Sequence, residues 1–138
     1  YVHCVTSGLS QIQPGKRMLS SMTPTIIEKG GKLFLVVGSP GGATIPTSVF
    51  QVIINILDYG MIVQDAVNAG RFHHQWQPDL IYYEKKSIDS VSLKKLEMMG
   101  HTLKVRNSIG LVNAIQIMPD GKMTGGADPR GYNVASGF

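Results

Sequence analysis

Apolar and polar positions change period several times along this chain, and each change marks an element. Thr23 to Glu28 is a β-branched run and Lys32 to Val37 an apolar one, with Lys29-Gly30-Gly31 between them. Two such runs around a glycine pair predict a hairpin, because a primed turn needs φ > 0 at both central positions. Past residue 44 the period becomes helical: Ile45, Val49, Val52, Ile53, Ile56 and Leu57 recur on one face. Pro46 suits the first turn, where its missing N–H costs nothing, and Gly60 suits the stop. The face is broad, so this helix is expected to be well buried.

A shorter helix follows from Ile62 to Ala69, ending at Gly70. Leu80 to Glu84 reads as a strand. Asp89 or Ser90 can cap a helix carrying Val91, Leu93, Leu96, Met98 and Met99, stopped by Gly100. Leu103 to Arg106 and Val112 to Met118 read as strands. Pro119-Asp120-Gly121 is a turn, and Lys122 to Gly125 the returning strand. Residues 1 to about 22 and the ending ADPRGYNVASGF lack periodicity and read as irregular. Strands and helices mixed with hairpins predict an α+β class, a mostly antiparallel sheet with packed helices. No repeat or linker divides the chain, so residues 1–138 form one unit.

Composition narrows the picture. The chain has 138 residues, 43% apolar and 16% charged, a globular balance. No apolar run approaches the ~20 residues of a membrane helix. The opening YVHCVTSGLS has neither the basic start nor the apolar middle of a signal peptide. The net charge is +4, with basic pairs at Lys16-Arg17, Lys85-Lys86 and Lys94-Lys95. They are scattered and lack interleaved aromatics, which argues for solvated surface and against a nucleic-acid partner. Cys4 is the only cysteine, so it forms no internal disulfide and no cysteine-based metal site.

The chemistry concentrates at VVGSPGGAT, residues 36–44. A strand, a glycine-rich turn and a helix start make an anion site, because the first helical N–H groups have no internal partner. The anion could be a phosphate, a carboxylate or an oxyanion formed during acyl transfer; a tight turn with no ligand is the competing reading. The stretch has neither the lysine of a Walker A loop nor the GxGxxG spacing. Ser39 is not at a nucleophile elbow, since Val37 stands where that motif needs glycine. Ser20 and Ser21, just before the first strand, offer adjacent hydroxyls for capping or for a polar ligand, or are plain surface serines. His73 and His74 point different ways on any regular element. They read as polar anchors, with no metal expected, and Trp76 as a packing residue. Asp128 and Arg130 are expected to tie down the C-terminal tail.

Taken together, PGKRMLSSMTPTI, GSPGGATIPT, DYG, NAGRFHHQWQPD and ADPRG resemble the γ-glutamyltranspeptidase family, at the C-terminal part of its small subunit, over residues 14–138. The resemblance implies part of the αββα sandwich of the N-terminal-nucleophile hydrolases. It implies γ-glutamyl transfer from glutathione and similar compounds to water, amino acids or peptides through an acyl-enzyme, with no cofactor. Ser20 and Ser21 would help hold the donor's α-carboxylate, and Gly41 and Gly42 would form the oxyanion hole. The partners implied are a large subunit and the remainder of the small subunit. The nucleophile of this family is an N-terminal threonine; residue 1 is Tyr1, and Thr6, Thr23 and Thr25 are internal. The chain is therefore expected to be a segment, inactive alone and prone to self-association. Met18 and Thr44 depart from the proline and arginine usual at those places. A related acylase, a capsule-processing transpeptidase and a non-catalytic interaction module are the alternative readings. The family places the protein in the periplasm or facing outward from the cell.

Overall fold

The computed structural model describes residues 13–17 and 20–137. Tyr1, Cys4, Thr6 and Met18, which the sequence singles out, lie outside the described residues. The hairpin forms from β1 (Thr25–Lys29) and β2 (Lys32–Gly38). Gly30 and Gly31 take φ 61° and 73°, the left-handed pair that a two-residue primed turn requires. A single 3₁₀ turn (Gly42–Thr44) leads straight into α1 (Ile45–Leu57), and α2 (Val63–Asn68) follows. Then come the short β3 (Phe72–His73), β4 (Ile81–Tyr83), α3 (Ser90–Met98), β5 (Leu103–Val105), β6 (Asn113–Ile117) and β7 (Met123–Gly126).

Two sheets result. The larger runs β1-β2-β6-β7, antiparallel throughout, with Leu35 opposite Gln116 and Ile115 opposite Gly125. The smaller runs β3-β4-β5; β4 pairs antiparallel with β3 and parallel with β5, and α3 makes the crossover.

The core lies on one face of the larger sheet. Leu35 and Val37 of β2 and Ala114 of β6 meet Ile45, Val49, Val52 and Ile56 of α1 and Val63, Ala66 and Val67 of α2. The α1 residues are four, three and four apart, one stripe of a 3.6-residue helix. The stripe is narrower than the sequence predicts: Ile53 is half-buried, and Phe50 and Leu57 are exposed. On the opposite face of the sheet Ile26, Val36 and Ile115 lie in one cross-strand row and are exposed. Asp89 caps α3, its Oδ1 accepting from the amides of Val91 and Ser92, both at 2.9 Å. Trp76 does not pack as expected. It is 76% exposed at φ 69°, because the loop 74–79 turns outward there on its own hydrogen bonds.

Candidate functional site

The glycine corner is built from three constraints. Gly41 takes φ 137°, a conformation L-residues rarely adopt, and a Cβ there would fall 2.9 Å from Thr44 Oγ1. Gly42 takes φ 61°. Thr44 is buried, and its hydroxyl donates to the Gly41 carbonyl at 3.0 Å. Ser39 locks the other side: its Oγ accepts from the Leu111 amide at 3.0 Å and donates to the Pro40 carbonyl at 2.7 Å. These bonds make Ser39 a brace of the turn. The Gly41 and Gly42 amides stand at the head of the 3₁₀ turn, and neither donates to an acceptor among the described residues.

The structure joins the serine pair to this corner. Ser21 Oγ donates to the Gly42 carbonyl at 2.8 Å across 21 residues of sequence. Ser20 Oγ instead accepts from the Met22 amide at 3.2 Å, and its own O–H donates to no acceptor among the described residues. Ser20 and Gly41 are exposed, Ser21 and Gly42 half-buried. None of the four lines either main concavity of the described residues, about 460 and about 1000 Å³ in volume.

Beneath the helix start, Thr47 Oγ1 lies 2.8 Å from Nδ1 of the buried His73, whose Nε2 meets Gln75 Oε1 at 3.0 Å. Gln75 Nε2 donates to the Gln77 carbonyl, so its oxygen faces the ring and His73 Nε2 carries a proton. His74 turns the other way, to Asp79 at 3.0 Å. The pair thus anchors two separate segments.

A second polar assembly has no counterpart in the sequence reading beyond its tail residues. Arg71, Glu84, Asp128 and Arg130 form a quartet, the first three essentially buried. Arg71 Nη1 donates to Asp128 at 2.8 Å and to the Ile109 carbonyl at 3.0 Å, and Nη2 to the Val67 carbonyl at 2.7 Å. Glu84 accepts from the amides of Arg71 and Ile109 and from Nε and Nη2 of Arg130. Asp128 also accepts from Val112 N at 2.7 Å and from Arg130. Burial alone would raise both carboxyl pKa values. The donors outweigh it and hold both below the usual carboxylate range: the Arg130 side chain and two amides for Glu84, the Arg130 amide and the Arg71 side chain first for Asp128. Burial lowers the Arg71 pKa. It pulls on Arg130 too, but there the bonds to Glu84 and Asp128 prevail and raise it. The tail is tied as expected, through Asp128 and Arg130. The sequence signal for the other half was faint: two charges, Arg71 and Glu84, each flanking a short strand.

This architecture is an α+β segment of the N-terminal-nucleophile hydrolase fold, with a glycine turn before its longest helix. The Gamma-glutamyltranspeptidase family model matches residues 2–138. The glutathione hydrolase proenzyme of Escherichia coli strain K12 is 47% identical over 119 residues, 86% of this chain and 20% of that protein. That of Pseudomonas aeruginosa is 45% identical over 134 residues, 94% of this chain and 24% of that protein. Among solved structures, the T380A mutant of Helicobacter pylori γ-glutamyltranspeptidase superposes with a TM-score of 0.83 at 47% identity, covering 87% of this chain and 66% of that one. The Bacillus anthracis transpeptidase CapD superposes at 0.78 and 28% identity, over 93% of this chain and 78% of that one. The chain belongs to the γ-glutamyltranspeptidase family. It spans about a fifth to a quarter of the length of these two curated relatives.

Proposed function

We propose that this chain supplies the oxyanion hole and part of the donor-carboxylate site of a γ-glutamyltranspeptidase that hydrolyses or transfers the γ-glutamyl group of glutathione-like compounds. The observation that carries the reading is the pair of amides at Gly41 and Gly42 with no acceptor among the described residues, fixed to the serine pair by the bond from Ser21 to the Gly42 carbonyl. An amide carbonyl attacked by a nucleophile gains negative charge on oxygen. Two preorganised N–H donors stabilise that charge without reorganising during the reaction. Both positions are glycine in left-handed or otherwise non-standard backbone, which the turn into the helix requires. The Ser20 hydroxyl has a proton free to donate to a carboxylate.

In this reading the nucleophilic threonine, with its α-amine as base, comes from the remainder of the small subunit. It attacks the γ-carbonyl, the amine leaves, and water or an amino acid resolves the acyl-enzyme. A large subunit completes the site. The same reading places the protein in the periplasm or outside the cell.

The test is Gly42→Ala in the full-length protein, assayed for hydrolysis of a γ-glutamyl anilide. Alanine keeps the N–H, but a Cβ at φ 61° strains the turn and shifts that amide, so kcat is expected to fall about 10²–10³-fold together with about 1–3 kcal/mol of stability. An unchanged kcat overturns the proposal. A parallel assay with glutaryl amides separates a γ-glutamyl enzyme from a related acylase.

A further inference from the structure

The about 460 Å³ concavity lies away from the glycine corner and is lined by Asn68, Gly70, Glu84, Lys85, Lys86, Arg106, Asn107, Pro129 and Arg130. Its position follows from topology. β4 and β5 are parallel, and Glu84 to Lys86 and Arg106 to Asn107 are the residues that leave their carboxyl ends. A crevice outside the carboxyl ends of parallel strands is where open α/β sheets place ligands.

Its charge can be counted group by group. Arg130 uses all five of its donor hydrogens: Nε on Glu84, Nη1 on Val67 O and Asp128, Nη2 on Ala69 O and Glu84. Glu84 in turn accepts four hydrogen bonds. That wall is electrically closed. Lys85, Lys86 and Arg106 form no ion pair with a carboxylate among the described residues. Three unmatched cations therefore border one small concavity, with the Asn107 amide beside them.

Two features hold the cations in place. The Arg106 guanidinium sits over the Tyr82 ring, 5.9 Å from its centroid, and the Arg106 amide donates to the Tyr83 carbonyl at 2.8 Å. Lys85 and Lys86 occupy the centre of a turn closed by Ser87 N and Ser87 Oγ, both donating to the Glu84 carbonyl at 3.0 and 2.8 Å. Lys86 takes φ 67°, strained for a lysine where a glycine would sit freely. Read as sequence, Lys85-Lys86 is solvated surface; the fold brings Arg106 beside it from 20 residues downstream.

We propose that this cleft binds a compact, multiply charged oxyanion, a polycarboxylate or a phosphate, gripped by Lys85, Lys86 and Arg106. A planar guanidinium fork suits either group, and two flexible ammonium groups close over it.

The experiment titrates citrate and, separately, inorganic phosphate into the full-length protein by calorimetry at low ionic strength. The expected result is one saturable site with Kd near or below about 1 mM for at least one anion, weakening as salt is added. Tighter citrate identifies a carboxylate ligand; tighter phosphate identifies a phosphate ligand. Arg106→Gln and the double variant Lys85→Gln/Lys86→Gln each weaken binding about tenfold or more. Lys94→Gln/Lys95→Gln removes the same charge from α3 and leaves Kd unchanged. Thermal midpoints verify that all variants fold. Absence of saturable heat with both anions up to about 20 mM overturns the proposal. So does equal weakening by the α3 variant, which would mean general charge attraction only.

Discussion

The glycine corner and the charged quartet treat polar groups in opposite ways. At the corner, two backbone donors, one exposed and one half-buried, have no acceptor among the described residues. In the quartet, two carboxylates and the Arg71 guanidinium are buried, Arg130 is half-buried, and nearly every polar atom has a partner; Arg71 Nε is the exception. The two regions meet in one loop. The Ile109 amide and carbonyl are held by Glu84 and Arg71, Gly110 lies under Gly41, the Leu111 amide bonds Ser39, and the Val112 amide bonds Asp128. Loop 109–112 is thus clamped by the saturated cluster and in turn braces the unsaturated one. A buried network with almost all its polar atoms paired is rigid, and rigidity is what the proposed oxyanion hole needs from its support.

The harshest way to break this arrangement is to orphan a charge. Asp128→Ala removes a fully buried acceptor of Arg71, of Arg130 and of the Val112 amide. Breaking a buried pair by removing one partner costs about 3–5 kcal/mol. Urea unfolding should show a loss of that order, with the slope of the transition unchanged. A loss under about 1 kcal/mol would show that the cluster is not the clamp.

Acid probes the same cluster without mutation. Glu84 and Asp128 have folded-state pKa values below their ordinary ones. Their stabilising contribution is therefore complete above the unfolded-state pKa of about 4 and is lost as pH falls through the lower folded values. Urea midpoints should be flat from pH 7 to about 5 and drop below about 4. In Asp128→Ala the acid-induced drop should be smaller, because one of the two responsible groups is gone.

The link between the two regions can be cut at Gly110. It takes φ 70°, and a Cβ there would fall 2.4 Å from Ser48 Oγ and 3.3 Å from Ser39 Oγ. Gly110→Ala should cost about 1–3 kcal/mol in stability from backbone strain and crowding. Because Ser39 and Gly41 are its neighbours, kcat of the full-length protein should fall as well. A stable Gly110→Ala protein with full kcat would separate the brace from the hole.

Most of this fold is legible in the sequence, for reasons that can be named. The primed turn at Gly30-Gly31, the stripe Ile45-Val49-Val52-Ile56, the cap at Asp89 and the turn at Gly121 are local signals, each set by backbone sterics or a 3.6-residue period. The glycine corner is legible as a strand-to-helix turn for the same reason. What local pattern cannot show is pairing across distance. Arg71 and Glu84 become partners of Asp128 and Arg130 only when three separate segments converge. The parallel pairing of β4 with β5, which sets Arg106 beside Lys85-Lys86, is hidden for the same cause. Trp76 was misread because aromatic residues are more often packed than not, whereas its loop carries it into solvent.

The finest test divides the serine pair, which the sequence treats as equivalent. Ser21 spends its proton on the Gly42 carbonyl at 2.8 Å, whereas Ser20 accepts from an amide and keeps its proton. A carboxylate only accepts, so the serine that faces it must donate. Ser20→Ala should therefore raise KM for the γ-glutamyl donor by about fivefold to tenfold with kcat little changed, the signature of lost ground-state binding. Ser21→Ala should act through the turn: the Gly42 carbonyl loses a part-buried hydrogen bond worth about 1 kcal/mol, and the neighbouring amides lose their fixed aim. Its effect should fall on kcat more than on KM, with a modest drop in thermal midpoint. If both variants raise KM equally and leave kcat alone, the Ser21 hydroxyl must turn from Gly42 to the ligand on binding, and the brace seen here belongs to the free enzyme only.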